Sequence, residues 1–450
     1  MLTNVMIWLL ALSLVVGVGI LYAQTARAGK LLPNVEPEML NPDYWIGKHP
    51  NPHQVILTLE QIKALNNRIA ANDKTVLQPE KVRRTYDRRV VQSTLEQDIA
   101  KLSQQKMQFK NASLVRPEFW DKVRQNMNLA KLPATIEARY AVLVKFTDNR
   151  VLPLEEGIYD AGDDGAFDRL QNTAFEIGTP HIVLHSSLDG KWLYALGPDY
   201  RGWYPKDAMA FCTFPEWKDY AQAQNFIVIT SAKADIFTAE ESKRTRGFIR
   251  LGNTLPFKES RATGYVVMLP TRAADGRLEV SDAFVPYSSA HEGFMSYTPA
   301  NAIRMAFKVL GTDYGWGDLN SDWDCSSFVK SVYAIFGIRL PRDGGNQARA
   351  GSLNTSLKGI PSSARDQEIV SKAIPGISLL RMPGHIMIYV GEHKGRAYVI
   401  HSVYAYRRKN KSGVEESVVI GKNSVSDLHL GAESKRGSWL ARLESIIDVK

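Results

Sequence analysis

The feature that most constrains the fold is a change in the spacing of apolar residues near residues 131–133. Helical spacing dominates before this point, short strand-like runs follow it, and the two patterns mix from about residue 290. At 450 residues the chain is long enough for several domains of ordinary size. We therefore expect an α+β multidomain protein.

The segment 29–132 carries signals for helix starts. Thr58 is followed by Gln61 in a capping box, Ser93 is followed by Glu96 in the same spacing, and Pro117 follows Arg116 as the first residue of a helix. No residue of this segment suggests chemistry. We predict a helical, stabilising N-terminal segment.

Two groups of short strands follow, in 133–213 and 214–289. The predicted strands of the first are 140–146, 181–185 and 191–196, and those of the second are 226–230, 247–251, 263–269 and 277–280. Turn pairs Asp189-Gly190 and Asp275-Gly276 separate strands in each group. We predict two small β-barrels that bind or position a substrate.

Composition excludes several classes of protein. With 44% hydrophobic and 23% charged residues, the chain is neither disordered nor a multi-span membrane protein. Two cysteines cannot build a disulfide framework or a cysteine-rich metal site. The net charge of +9 is spread along the chain without a nucleic-acid-binding motif. It suits an anionic surface such as a cell envelope, and solubility alone is the alternative explanation. We expect no nucleic-acid partner.

Residues 7–23 form an uncharged apolar run that is followed by Ala26-Arg27-Ala28. This pattern predicts that residues 1–28 are a signal peptide, although the first five residues carry no Lys or Arg. An uncleaved membrane anchor is the alternative, since seventeen apolar residues can just span a bilayer. We expect an exported protein of the periplasm or cell envelope, with secretion as the alternative.

Cys325 directly precedes residues 326–336, whose apolar positions predict a helix with one buried face that ends at Gly337. Unpaired N–H groups and the helix dipole favour a thiolate at such a position. Cys325 is therefore a candidate nucleophile, and a packed structural thiol is the alternative interpretation.

Two histidines flank a predicted hairpin of strands 386–390 and 396–400. Residue 393 is the midpoint between His385 and His401, so a regular hairpin would place these two side chains opposite each other on one face. One ring could then accept the thiol proton while the other fixes its tautomer. A β-bulge would change this register.

Four blocks of the C-terminal segment resemble the NlpC-type cell-wall cysteine peptidases. They are YGWG at 314–317, DCSSFV at 324–329, LPRD at 340–343 and PGHIMIYVG at 383–391, with His401 on the next strand. The resemblance implies a papain-like α+β catalytic domain over 290–450. It extends to a branch of the family in which a stabilising segment and two bacterial SH3-like barrels precede that domain.

The resemblance also implies the activity. Members hydrolyse peptidoglycan stem peptides between D-γ-glutamate and a diamino acid, and this branch favours stems with a free N-terminal L-alanine. Cys325 would be the nucleophile, His385 the general base and His401 the residue that orients it. No metal or cofactor is implied, and we expect a monomer whose partner is the stem peptide.

Substrate-binding roles carry over to matching positions. The resemblance places Tyr314 near the oxyanion, Asp324 and Ser326 at the free amine, and Arg342 and Asp343 at the glutamyl group. Gly344 departs from the family, where serine is frequent at this position. An acidic residue of the first barrel should complete the amine pocket, and the candidates are Glu155, Glu156, Asp160, Asp163, Asp164 and Asp168.

Two other functions stay open at this point. One is a non-catalytic module in which the paired barrels bind cell-wall peptides, although the presence of Cys325, His385 and His401 argues against it. The other is a papain-like amidase or acyltransferase that acts on another amide or ester, which Arg342-Asp343 and the tandem barrels disfavour.

Overall fold

The computed structural model describes residues 31–450. The expected signal peptide or anchor at residues 1–28 lies outside the described residues. Within the described part, no helix is both long and apolar enough to span a bilayer. The mixed α+β, multidomain architecture expected from the sequence is confirmed.

Helices dominate the segment that precedes the first sheet. They are α1 (Pro42–Ile46), α2 (Leu59–Asn72), α3 (Arg88–Ser103) and α4 (Pro117–Asn126), accompanied by the short strands β1 (Thr85–Asp87), β2 (Met107–Phe109) and β3 (Thr135–Glu137). The capping box of Thr58 and Gln61 begins α2, and Pro117 begins α4, as predicted. The predicted N-cap at Ser93 is wrong, because the N-cap of α3 is Asp87, six residues earlier.

The first sheet has seven strands in the order β11-β4-β8-β9-β10-β5-β7. They are β4 (Arg139–Leu143), β5 (Thr147–Arg150), β7 (Gln171–Phe175), β8 (Pro180–Ser186), β9 (Trp192–Leu196), β10 (Arg201–Pro205) and β11 (Met209–Cys212). A further strand, β6 (Ile158–Asp160), pairs with β2 and ties the helical segment to this barrel. Sequence patterning missed β5 because its buried positions include Asn149 and Arg150, which break the apolar alternation.

The second sheet follows helix α5 (Phe214–Ala221) and has the order β14-β13-β17-β16-β15-β12-β18. Its strands are β12 (Phe226–Ile229), β13 (Lys233–Phe237), β14 (Thr245–Arg250), β15 (Thr254–Ser260), β16 (Gly264–Arg272), β17 (Leu278–Pro286) and β18 (Ala290–Glu292). Its own apolar core includes Ile227, Ile249 and Val267, all fully buried.

The C-terminal sheet has six strands in the order β19-β24-β20-β21-β22-β23. They are β19 (Ser352–Ser356), β20 (Ser378–Met382), β21 (His385–His393), β22 (Arg396–Lys409), β23 (Glu415–Asp427) and β24 (Ser445–Asp448). The surrounding helices are α6 (Pro299–Phe307), α7 (Cys325–Ala334), α8 (Gly344–Ala350), α9 (Ser362–Lys372) and α10 (Trp439–Arg442). Phe328 and Val329 of α7 share one core cluster with Ile388 and Ile400, which fixes the first turn of α7 against β21 and β22.

Candidate active site

Cys325 is the first residue of α7 (Cys325–Ala334), which begins one residue earlier and ends two residues earlier than the predicted helix of 326–336. Asp324 is the N-cap, and its carboxylate accepts hydrogen bonds from the backbone N–H groups of Ser326 and Ser327. The side chain of Ser327 accepts from the backbone N–H of Asp324 in return, which completes a capping box. The cap holds the nucleophile at a fixed point of the helix start.

The expected lowering of the thiol pKa does not occur. Burial raises the pKa of Cys325 to about 12, and the negative charge of Asp324 acts in the same direction. The backbone N–H groups of Ile386 and Ser326 and the charge of Arg342 oppose this shift without overcoming it. Burial therefore outweighs the stabilisation of a thiolate by the helix terminus, and Cys325 is a neutral thiol in the resting site.

His385 and His401 form a hydrogen-bonded pair. Nε2 of His385 lies 2.7 Å from Nδ1 of His401, and Nε2 of His401 lies 3.1 Å from the hydroxyl of Ser426. His401 is fully buried, and its ring packs edge-on against Trp439 with centroids 5.0 Å apart. Because Nε2 of His385 is occupied, Nδ1 is the ring nitrogen that remains for the thiol.

Burial keeps both imidazoles neutral. It lowers the pKa of His385 to about 4, with a further contribution from the positive charge of Arg442. It lowers the pKa of His401 well below its usual value, and His385 adds to that effect. A neutral His385 can act as a base near pH 7.

The two histidines meet through a β-bulge rather than through the predicted symmetric register. The turn is Lys394-Gly395, flanked by the pair His393–Arg396, so the hairpin is not centred on residue 393. From this turn a regular ladder would pair residue 385 with 404 and put the histidines on opposite faces. The register shifts between Tyr389 and Gly391, so Ile388 pairs with Ile400 and the histidines become diagonal neighbours on one face.

Asp324 and Arg342 form a buried bidentate ion pair. The Nη1 and Nη2 atoms of Arg342 lie 3.1 and 2.6 Å from the two carboxylate oxygens of Asp324. Arg342 also donates to the hydroxyls of Ser326 and Thr173, and its Nη2 lies 3.1 Å from Asp318. The guanidinium therefore makes four hydrogen bonds to protein groups and one further ion-pair contact, so most of its donor capacity is used within the protein.

A series of buried charges continues from this pair to both seven-stranded sheets. Asp318 lies 3.1 Å from Arg250 of the second sheet, and Arg250 in turn pairs with Glu176 next to the first sheet at 2.5 Å. Burial alone would raise the pKa of Asp318, but the charges of Arg342 and Arg250 outweigh it and hold that pKa low. Sequence reasoning missed Asp318, Arg250 and Glu176, because no local motif links three segments so far apart in the chain.

Cys325 and His385 line a cleft of about 1380 Å³ between the first seven-stranded sheet and the C-terminal sheet. Tyr314 and Asp343 line this cleft, as does Tyr200 of the first barrel. Burial, followed by the charges of Asp324 and Cys325, raises the pKa of Tyr314, so its phenol stays protonated and can donate a hydrogen bond. The predicted catalytic and substrate-binding residues other than His401 all line this cleft, and His401 is connected to it through its hydrogen bond with His385.

The structure separates the six acidic candidates of the first barrel. Asp163, Asp164 and Asp168 line the cleft, whereas Glu155, Glu156 and Asp160 are not among its lining residues. Asp168 is buried and already paired with Arg150 at 2.7 Å. Its carboxylate also accepts from two backbone N–H groups. Asp163 and Asp164 are therefore the acidic groups of this barrel that a ligand in the cleft could meet.

Cys212, the other cysteine, ends strand β11 and is half-buried. Burial raises its pKa to about 12, and neither histidine of the site is near it in the sheet pairing. In residues 31–450 no group of three or more His, Cys, Asp or Glu side chains is arranged to hold a metal ion.

Comparison with known protein families and structures agrees with this architecture. Residues 158–205 match the SH3 domain of SH3b1 type, and residues 311–418 match the NlpC/P60 family. A solved NlpC/P60 endopeptidase from Photobacterium damselae subsp. piscicida superposes with a TM-score of 0.74. That likeness covers 91% of this chain and 96% of the other at 19% identity, so it shows a shared fold.

Curated relatives match only in part. A gamma-D-glutamyl-L-lysine dipeptidyl-peptidase from Bacillus cereus (strain ATCC 10987 / NRS 248) is 26% identical over 161 residues, which are 34% of this chain and 44% of the relative. The protein of the same name from Bacillus subtilis (strain 168) is 37% identical over 65 residues, 14% of this chain and 20% of the relative. The matched regions thus span less than half the length of these relatives. Taken with the site geometry, these matches establish that the chain carries a domain of the NlpC/P60 family together with an SH3 domain of the SH3b1 type.

Proposed function

We propose that this protein is an exported cysteine peptidase that hydrolyses the bond between D-γ-glutamate and the diamino acid of peptidoglycan stem peptides. The observation that carries the proposal is that Cys325, at a helix start, lines the same open cleft as His385, whose ring is hydrogen-bonded to His401. The printed names of the Bacillus relatives support the γ-D-glutamyl bond as the target.

The chemistry follows from the neutral resting state of the pair. The thiol of Cys325 attacks the γ-carbonyl carbon while Nδ1 of His385 takes the thiol proton, and the new C–S bond leaves negative charge on the carbonyl oxygen. Tyr314 donates its phenolic hydrogen bond to that oxygen. The C–N bond then breaks, His385 gives its proton to the departing amine, and water attacks the thioester to regenerate the thiol.

His401 is a positioning residue in this mechanism. For Nδ1 of His385 to accept a proton, the hydrogen of the neutral ring must sit on Nε2, which then donates to Nδ1 of His401. His401 must in turn carry its hydrogen on Nε2 and donate it to Ser426. The pair thus sets the tautomer of the base and stabilises the imidazolium that forms during attack.

We further propose that the enzyme requires a free N-terminal amine on the stem. The buried cluster next to Cys325 contains three carboxylates, Glu176, Asp318 and Asp324, against two guanidinium groups, Arg250 and Arg342. Its net charge of −1 favours a cation nearby. Since the oxygens of Asp324 already accept several hydrogen bonds, we assign direct contact with the amine to Asp163 or Asp164 and a supporting electrostatic role to Asp324.

Arg342 then acts by fixing Asp324 and Ser326 rather than by holding the glutamyl carboxylate. Asp343, which is exposed at the cleft beside Tyr200, remains in contact range of the glutamyl group. The apolar run at residues 7–23 supports export, and we propose the periplasm or cell envelope as the site of action.

The test is cleavage of L-Ala-γ-D-Glu-diaminopimelate by the purified full chain, with products separated by mass spectrometry. Matched arms are the N-acetylated peptide and the Cys325→Ala variant. We expect the free-amine peptide to be cut, the acetylated one to be cut far more slowly, and the variant to be inactive. Equal cutting of both peptides would overturn the amine requirement, and no cutting of either would overturn the peptidase assignment.

A further inference from the structure

We propose that Arg442, assisted by Arg436, forms a carboxylate-binding subsite for the leaving-group residue and selects diamino acids that carry a second carboxylate. The inference rests on the proposed function and deepens it. It concerns the part of the cleft that binds the diamino acid released on cleavage. There, a stem with meso-diaminopimelate would be preferred to a stem with lysine.

The arginines that line the cleft fall into two groups. Five have carboxylate partners, and the pairs are Arg169–Asp160, Arg201–Asp98, Arg342–Asp324, Arg381–Glu444 and Arg407–Glu415. Arg436 and Arg442 make neither a salt bridge nor a side-chain hydrogen bond with any residue of the range 31–450. Both belong to the segment 431–442, six residues of which line the cleft.

The lack of a partner is most informative for Arg442. This side chain is half-buried, and burial followed by the charge of Arg436 lowers its pKa. A desolvated guanidinium without a counter-ion is costly, and it is the group that best matches a carboxylate in bidentate geometry. Arg436 is exposed and adds a second positive charge near the half-buried Arg442, so this part of the cleft favours an anion.

The position of Arg442 relative to the base gives the side of the substrate. Arg442 and His385 both line the cleft, and the ring centroid of His385 lies 6.0 Å from that of Trp439, which begins the helix that Arg442 ends. The positive charge of Arg442 contributes to the lowered pKa of His385. His385 delivers its proton to the departing amine, so the leaving residue must lie on the histidine side of the thiol. The subsite therefore faces the diamino acid and not the glutamyl group.

The chemistry of the stem peptide then identifies the anion. In a stem of four residues, the α-carboxyl of the diamino acid forms the next peptide bond and carries no charge. A side-chain carboxylate is consequently the anion available on that residue. Diaminopimelate has one and lysine has none, so Arg442 distinguishes residues that otherwise share their backbone and terminal amine.

The test compares two tetrapeptides, L-Ala-γ-D-Glu-X-D-Ala, in which X is meso-diaminopimelate or L-lysine. Both carry the same C-terminal carboxylate, so they differ by the group in question. We expect kcat/KM of the full chain to favour the diaminopimelate peptide by about tenfold or more, as one charge-assisted hydrogen-bond pair allows. Arg442→Gln should remove that preference by raising KM for the diaminopimelate peptide alone, and Arg442→Lys should keep part of it.

Arg408→Gln is the matched control, because Arg408 is exposed, paired with Glu416 and not part of the cleft lining. Equal rates for both peptides in the unsubstituted chain, or an equal loss for both in Arg442→Gln, would overturn the subsite. Binding of the two peptides to Cys325→Ala by calorimetry separates this inference from the proposed function. If neither peptide is cut, tighter binding of the diaminopimelate peptide would still support the subsite, and equal binding would overturn it.

Discussion

At the scale of single residues, the Cys325 thiol and the His385 imidazole are both neutral in the resting site. Burial raises the pKa of the Cys325 thiol to about 12 and lowers that of the His385 imidazole to about 4. Proton transfer and attack must then occur together, because the thiolate is not formed in advance. In the proposed mechanism, Cys325 therefore stays uncharged until the substrate carbonyl is bound.

This state predicts the pH dependence of the reaction. His385 is active as a base only when neutral, and a lowered pKa means that it stays neutral until the pH falls through about 4. We expect kcat/KM to be nearly constant between about pH 5.5 and 8 and to decline below pH 5. A loss of activity centred near pH 6.5, the usual range of histidine, would contradict the burial of this ring.

Single residues also mark how far sequence reasoning could reach. Cys325 and His385 were candidates from local pattern, because each begins a helix or a strand. His401 lies inside β22, and its spacing from His385 was the signal for it. Arg250 and Asp318 were not predictable, because each looks like an ordinary polar residue until distant segments pack together. The hydrogen-bond partners of Arg342 could not be predicted either, because Thr173 lies far from it in the sequence.

At the scale of elements, the bulge in β21 places His385 and His401 on the same face of the sheet. Gly391 lies at this bulge with a φ of +144°, and a Cβ atom added there would come within 3.0 Å of the Trp45 ring. The N-terminal segment thus braces the strand at the point where its register shifts. Sequence patterning found the hairpin but could not find the bulge, because apolar residues continue without a break from Ile386 to Val390.

Gly391→Ala is expected to weaken both stability and catalysis. The positive φ and the contact with Trp45 should cost about 1–3 kcal/mol of unfolding free energy. A shift of the bulge would misalign His385 and His401 and lower kcat by roughly tenfold or more. Denaturant unfolding and steady-state kinetics measure the two effects. Gly413→Ala is the control, since Gly413 has a φ of +75° at an open position; an equal loss of kcat in that variant would argue against a special role for the bulge.

At the scale of the whole molecule, a series of buried ion pairs connects the two seven-stranded sheets to the candidate active site. Glu176, Arg250, Asp318, Arg342 and Asp324 link the first sheet, the second sheet and the helix that carries the nucleophile. Substitution of any one of these residues should destabilise the protein, because it leaves a buried charge without a partner. The sequence indicates separate units, and the packing between them becomes visible only in the structure.

Arg250→Met should therefore destabilise the protein from a position outside the C-terminal sheet. We expect a loss of about 3–5 kcal/mol in unfolding free energy, with partial recovery when Glu176→Gln is added. Arg261→Met, which breaks the exposed pair with Glu259, should cost under about 1 kcal/mol. Similar small losses in both single variants, measured by denaturant unfolding, would show that the buried ion pairs do not hold the units together.

The most direct measurement of the central claim is the capture of the acyl-enzyme. The full chain would be mixed with L-Ala-γ-D-Glu-diaminopimelate, quenched in acid within milliseconds to seconds, and mapped by mass spectrometry. We predict a thioester of the L-Ala-γ-D-Glu fragment on Cys325, with the diamino acid released and Cys212 unmodified. Product formation in Cys325→Ala, or a covalent fragment on any other residue, would contradict the account.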